Sequence, residues 1–537
     1  YTATSDASGN YAFSSANANS IPLEVYPVRI EFSNFPAFVF GNSGPSITGN
    51  ESSVRFVNAP VCNLNCGAVN PLNYSQANPI MVSNMYTNNN PLAGGTAATT
   101  PTLIAHTYTN ETNFNYTTLA ASSEIGSVWA KTWNKFKKKM LVAAFLKRHC
   151  GLGPLGIGGI YMVDYTNQAS PVFSNFLDVT TLGIDVGQGV IPDNVTRGMG
   201  ASKTARNTDA QSYAYIGKAG IGNMDLSDDG NILYFVNLFD RKVYTINLTN
   251  YFANGTMPTA LDVNNIVIPD PGCTGGDFRP FALKIRDGNM YVGMVCDGSG
   301  GNTSNMVAFV KSYNIATNVW SDVFDFPLTY PKGYPDQQDG SKTGWFIWSD
   351  NPSVVNPGNS SSILHPVPIL SDIEFDMDGT MVIALMDRTC HQYGVANNDS
   401  WNGAAWGSSN FFIAAGGDVL RAFNSNGAYV LENAAKAGPT VGYAPANNQG
   451  PGFGEFYNDN IGGGVNYHSE MGTGGLALRP GSGEIIAGMV DPSFYKGDGV
   501  LYANGIRKMS NTTGQPTGGK SYYSDSGISL FGKANGM

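Results

Sequence analysis

The sequence predicts an all-β protein built largely as a β-propeller of six to seven blades. Three observations point there. Charged residues make up only 13% of the 537 positions, where ordinary soluble proteins carry roughly 25%. The chain holds 65 glycines, which with Asn, Ser and Thr break it into short apolar runs. Those runs recur in pairs joined by tight turns, as strand hairpins do.

In chain order, the turn DASGN (Asp6–Asn10) leads into YAF, and PLEVYPVRIEF (Pro22–Phe32) alternates with period two, so residues 1–34 read as two strands. Two strands cannot bury a face alone, so this piece belongs to a larger sheet or is incomplete. Residues 35–123 are rich in Asn, Thr, Ser and Pro, with brief apolar runs at Val54–Val61 and Pro79–Tyr86. They read as an irregular, strand-poor region packed on the propeller. The propeller is placed at 124–537. Its hairpins include MLVAAFL with GGIYMVD, DLSDDGNILYFVN with KVYTINL, FALKIRDGNMYVGMVC with MVAFVKSYNI, LSDIEFDMDGTMVIALMD, FFIAAGGDVLRAF, and LALRPGSGEIIAGMVD with GVLYANGIRKMS. The Asp-Gly and Ser-Gly dipeptides between the runs supply the positive φ of tight hairpins. Long connections at Thr166–Tyr213 and Ser321–Pro368 are where binding is to be sought.

A net charge of −10 opposes phosphate backbones and anionic membranes, so nucleic acid is excluded as a partner. No apolar run approaches the roughly 18–20 residues of a membrane span. No leader is recognisable at Tyr1, so an export signal is expected to have been removed or to lie upstream. The six cysteines form candidate pairs Cys62 with Cys66, Cys273 with Cys296 and Cys150 with Cys390, with connectivity left open by spacing.

The best candidate site by residue type is MDRTCHQ, with Asp387, Arg388 and His391, and Asp372 and Glu374 one strand away. Its structural reading is an Asp387–Arg388 pairing that ties one blade to the next. WFIW supplies Trp345 and Trp348, and Trp401 and Trp406 follow; exposed aromatics of this kind stack on sugar faces. The aspartates of DMDGT (Asp376, Asp378) fit a hairpin turn better than a calcium loop, which needs a distal Glu. In LKRHCGLGPLGIGG the glycines allow a tight path near the propeller centre, with Lys147, Arg148 and His149 facing solvent or a carboxylate. KTWNKFKKKM (Lys131–Met140) interleaves lysines with Trp133 and Phe136, and its structural reading is a solvated hairpin loop. No GxSxG elbow and no HExxH occurs, so no catalytic residue, metal or cofactor is called for.

The motifs AAFLKRHCGLGPLGIGGIY, LYFVNLFDRKVY, RPFALKIRDGNMYVGMVCDG, LSDIEFDMDGTMVIALMDRTCHQ and GGLALRPGSGEIIAGMVDP resemble those of large bacterial surface proteins, notably of Bacteroidetes, in which SdrD B-like (prealbumin-like) domains precede a propeller region. The segment TSDASGNYAFSS with VYPVRIEF resembles the last strands of such a domain. The resemblance implies an extracellular, cell-surface protein without enzymatic activity, acting as adhesin, stalk or assembly subunit. Its partners would be other surface or secretion-system proteins, including self-assembly by strand complementation. The alternatives are a glycan-binding propeller using its aromatic loops, and a metal-dependent propeller hydrolase or lyase.

Overall fold

A computed structural model describes the chain apart from residues 7–8, 15–19, 36–39, 42–52, 63, 70–75, 110–114, 334–342, 356–364, 395–396, 399–415, 426, 461–471, 491–503, 519–520 and 525–537. It divides into a small unit, mainly Tyr1–Ala77, and a large one over nearly all the remainder.

In the small unit the Asp6–Asn10 turn forms as expected, with Asn10 N donating to Asp6 Oδ1 at 2.9 Å. Of the expected strand pair only Val28–Glu31 is a strand, because Leu23–Val25 forms a 3₁₀ turn ahead of Pro27, and proline interrupts a ladder. Its antiparallel partner is Val54–Val57, so the expected boundary near residue 34 does not hold.

The large unit is an all-β propeller whose six blades are six sheets, with one further two-stranded sheet, Lys436–Ala437 with Thr440–Val441, among the described residues. Blade one has three strands, Ile80–Asn84, Pro101–Thr107 and Thr117–Ala121. Blades two to five have four each: Val128–Asn134, Lys139–Ala144, Gly159–Asp164 and Val172–Asp178; Ile221–Leu226, Ile232–Asn237, Lys242–Asn247 and Val263–Val267; Phe278–Arg286, Asn289–Cys296, Val307–Asn314 and Val319–Pro327; Pro368–Phe375, Met381–Asp387, Asp418–Ser425 and Ala428–Leu431. Blade six comprises Gly472–Leu478, Glu484–Val490, Asn504–Ser510 and Ser521–Ser524. The propeller therefore starts near residue 78 rather than 124. Blade one was read as irregular because PTLIAHT and TTLAA carry Thr and Ala where the other blades carry long aliphatic runs.

Each second strand lies between the neighbours of its own sheet and is covered on both faces by adjacent blades. Met381–Asp387 is accordingly buried at every position, and such strands read as continuous apolar runs rather than alternating ones. The outermost Val319–Pro327 alternates toward solvent. The first strands of blades two to six pack side by side around the axis. The ring closes on both sides of blade one. Leu103 and Ala120 pack with Val128, Val142 and Tyr161 of blade two, and Met81 and Ile104 pack with Ile486 and Ile506 of blade six. Lys508 Nζ adds a bond to Tyr108 O at 3.2 Å.

The hairpin turns behave as their sequences require. At Asp376–Thr380 the backbone bonds close the turn, Gly379 has φ 81°, and Asp376 Oδ2 accepts from Arg421 Nη2 at 2.8 Å. Turns of this kind occupy most of one face. The described parts of the long connections, chiefly 145–158, 179–220, 297–306, 328–333, 343–355, 388–394 and 432–460, gather on the other. The expected loop Thr166–Tyr213 contains the last strand of blade two, and Ser321–Pro368 begins inside the last strand of blade four.

Of the candidate cysteine pairs, Cys273–Cys296 is a disulfide. Cys62, Cys66, Cys150 and Cys390 are thiols. The pairing of Cys150 with Cys390 is therefore not formed. Burial pushes the Cys150 thiol up to about 11 and that of Cys390 well above its ordinary value, which suppresses the reactive thiolate.

Candidate functional site: the long-loop face and the axis

The long-loop face is held by a buried polar network. Lys147, Arg148 and His149 follow the second strand of blade two and have no exposure at all, so of the expected surroundings, solvent or a carboxylate, solvent is ruled out. Lys147 Nζ donates to Cys390 O at 2.9 Å. Arg148 donates to the carbonyls of Thr208, Gln392 and Asn398 at 2.6, 2.8 and 2.8 Å. His149, at φ 70°, pairs Nδ1 with Asn207 Oδ1 at 2.8 Å. Asn207 in turn donates to Asn88 and Asn89 of blade one. The tight path is real: a Cβ at Gly151 would lie 2.3 Å from Pro91 Cδ, and one at Gly153 2.3 Å from Ile125 O.

The predicted residues of blade five join this network. Asp387 caps the short helix Arg388–Tyr393, accepting from Thr389 N and Val367 N at 2.9 and 2.8 Å. It does not pair with Arg388. The Arg388 guanidinium instead points the other way, to the carbonyls of Ile216 and Ser349, both at 2.9 Å, and of Ala214 at 3.2 Å. It also lies 4.6 Å from the Trp348 ring centroid. His391 sits edge-on to Phe145, Tyr86 and Trp129 with ring centroids 5.0, 6.1 and 6.4 Å away. Burial, reinforced by the Lys147 ammonium, holds its imidazole neutral well below the usual histidine range. Among the described residues its Nδ1 has no hydrogen-bond partner.

The tryptophans are not an open sugar platform. Trp345 and Trp348 are 4% and 1% exposed, and their indole N–H groups bond Tyr330 OH at 3.1 Å and Pro368 O at 2.8 Å. A chain this poor in charge buries aromatics as readily as it displays them, so residue type alone could not separate the two cases. Trp401 and Trp406 lie outside the described residues.

Sequence reasoning missed a second cluster on this face. Tyr330 OH donates to Asp418 Oδ2 at 2.6 Å, and Lys332 Nζ lies 4.7 Å from the Trp345 centroid. Burial, then the Asp459 charge, pushes the Asp418 carboxyl up; burial does the same to Asp459. Among the described residues Lys332 Nζ and both Asp459 carboxylate oxygens have no hydrogen-bond partner. Nothing local in the sequence marks these residues as neighbours, because they lie far apart along the chain.

Asp372 and Glu374 belong to a belt around the axis that links the blades. Asn84 of blade one meets Lys131 of blade two at 2.6 Å, Thr132 meets Asp225 at 2.8 Å, and Lys284 meets Glu374 at 2.7 Å. Asp372 accepts from Asn223 and from Leu476 N, both at 2.9 Å. Burial, reinforced by Glu374, pushes its carboxyl up to about 7. Among the described residues no group of three or more His, Cys, Asp or Glu is placed to hold a metal ion.

Fold and site together define a six-bladed β-propeller whose long-loop face is closed by buried polar contacts. No family model matches the sequence. The chain is similar to colossin-B of Dictyostelium discoideum, 25% identical over 91% of this chain and 12% of that protein. It is similar also to colossin-A, 24% over 81% of this chain and 4% of the relative, and to colossin-C, 24% over 100% and 49%. It thus spans half or less of these relatives. They are Dictyostelium proteins, which corrects the expectation of bacterial relatives. Solved structures with some likeness include TolB from Acinetobacter baumannii, with TM-score 0.33 and 9% identity over 82% of this chain and 64% of that one. The gluconolactonase XC5397 from Xanthomonas campestris has TM-score 0.33 and 8% identity over 84% and 90%. Likeness at this level has no bearing on activity.

Proposed function

We propose that this chain is a non-catalytic module of a large extracellular surface protein, a rigid propeller acting in adhesion, as a stalk or as an assembly subunit. The reading rests on one observation. The residues most like an active site, Asp387, Arg388 and His391, are buried; Arg388 is engaged in joining loops of different blades, and Asp387 in capping its own helix and holding Val367 N. The small share of colossin-A and colossin-B that the chain matches supports a module within a longer protein. The Cys273–Cys296 disulfide supports an oxidising compartment, hence an extracellular location. The strand Val28–Glu31 with its partner Val54–Val57, as part of an SdrD B-like domain, belongs to the same proposal. Under it, beads coated with His391→Phe protein attach to cells as wild-type beads do, per folded molecule. Lost attachment at an unchanged melting temperature would overturn it.

A second reading, a propeller hydrolase, draws support from Asp418, Asp459 and Lys332, because raised, mutually repelling carboxyls suit general acid–base chemistry.

A further inference from the structure

Blades one and two enclose a groove of about 470 Å³, away from the long-loop face, within the range that holds small ligands. Its lining is neutral and rich in hydrogen-bonding groups: His106, Thr107, Asn115, Thr117, Gln168 and Tyr165. Burial pushes His106 down to about 4, so it carries no charge at ordinary pH. The Tyr165 side chain is 5% exposed, and its hydroxyl has no hydrogen-bond partner among the described residues. A buried hydroxyl left in that state is costly unless a ligand or water meets it.

The hairpin turn of KTWNKFKKKM adjoins this wall. Tyr165 N donates to Lys138 O at 2.8 Å, and the Trp133 ring meets the Tyr165 ring edge-on at 5.9 Å. Trp133 and Phe136 are 47% and 59% exposed. Lys139 is paired with Asp164, but the exposed Lys135, Lys137 and Lys138 form no ion pair among the described residues. No acidic residue occurs between Glu124 and Asp164. A chain of net charge −10 thus presents a local cationic, aromatic rim beside a neutral hydroxyl-lined groove.

We propose that this groove and rim form a binding site for an acidic oligosaccharide. The sugar's hydroxyls meet Asn115, Gln168 and the threonines. A ring face stacks on Trp133, and carboxylate or sulfate groups meet the lysines. A planar lipid surface would engage the lysines but leave the groove empty. The site is independent of the sealed face and adds a ligand class to the surface role.

The test is calorimetric titration of the whole chain with heparin and alginate oligosaccharides, alongside neutral dextran and phosphatidylserine vesicles. At least one acidic glycan is expected to bind, and dextran and vesicles are not. Trp133→Ala and the triple variant Lys135→Gln, Lys137→Gln, Lys138→Gln each weaken binding about tenfold or more, while Trp133→Phe retains it. The melting temperature stays unchanged in the triple lysine variant, whose side chains are exposed, while Trp133→Ala, which also loses the Tyr165 contact, is compared with Trp133→Phe. Affinity falls as salt rises. His106 stays neutral from pH 5 to 8 and adds no pH dependence of its own there. Failure of both acidic glycans to bind, affinity indifferent to Trp133→Ala, or vesicles binding as tightly as glycans would each overturn the proposal.

Discussion

Arg388→Ala is expected to destabilise the propeller by roughly 4 kcal/mol. The side chain has no exposure. Its guanidinium reaches the carbonyls of Ala214 and Ile216, between blades two and three, and of Ser349, between blades four and five. Alanine orphans one buried acceptor, Ile216 O, and two part-buried ones, Ala214 O and Ser349 O, the buried one at about 1–3 kcal/mol before relaxation and the others at less, and removes the cation from the Trp348 face. The ion pair with Asp350 adds little, because that carboxylate is half exposed and screened. Arg388→Lys recovers only part of the loss, since an ammonium cannot reproduce the planar fork. Thermal and urea unfolding of the two variants against wild type measure this. A change within about 0.5 kcal/mol for Arg388→Ala would mean that the loops it joins are held by something else.

Asp209→Ala is expected to cost about 3–5 kcal/mol. Arg197 grips Asp209 through both oxygens, Nε to Oδ1 at 3.0 Å and Nη2 to Oδ2 at 2.7 Å, and both side chains are fully buried. Asp209 also accepts from His149 N at 3.0 Å and Ser212 Oγ at 2.8 Å. Its removal leaves the Arg197 charge buried beside Lys147 and Arg148. The same argument predicts that Arg197→Met with Asp209→Leu together destabilise less than the sum of the two single changes, because no uncompensated charge is left behind. A double-mutant cycle by urea unfolding gives the coupling directly.

The fold was largely legible. Strands covered on both faces appear as unbroken runs such as MLVAAFL and MVIALMD, and the turns DDGN, RDGN and DMDGT mark where they reverse, so five blades announced themselves. Blade one did not. Its short Thr- and Ala-bearing strands pack on Ile486, Ile506, Val128 and Val142, partners that no local pattern reveals. The N-terminal strand was seen, but its pairing with Val54–Val57 was not, for the same reason.

The candidate site was legible by residue type and opaque in its wiring. Asp387, Arg388 and His391 stood out as a dense polar group, yet the groups that engage this face, at Ser349, Ile216, Thr208 and Asn207, come from distant loops. Adjacent in sequence, Asp387 and Arg388 invited pairing. The helix they start turns one toward its own first turn and the other toward neighbouring loops. Lys332, Asp418 and Asp459 were invisible because they lie far apart along the chain and no local pattern marks them as neighbours.

Hydrogen–deuterium exchange of the long-loop face tests the central claim, that this face is a structural seal. The amides of Arg148, His149, Cys150, Arg388 and Thr389 all donate to groups within the network. They are expected to exchange as slowly as those of the buried strand Met381–Asp387. Exchange of these amides within seconds, while that strand stays protected, would show a face that opens freely and would contradict the account.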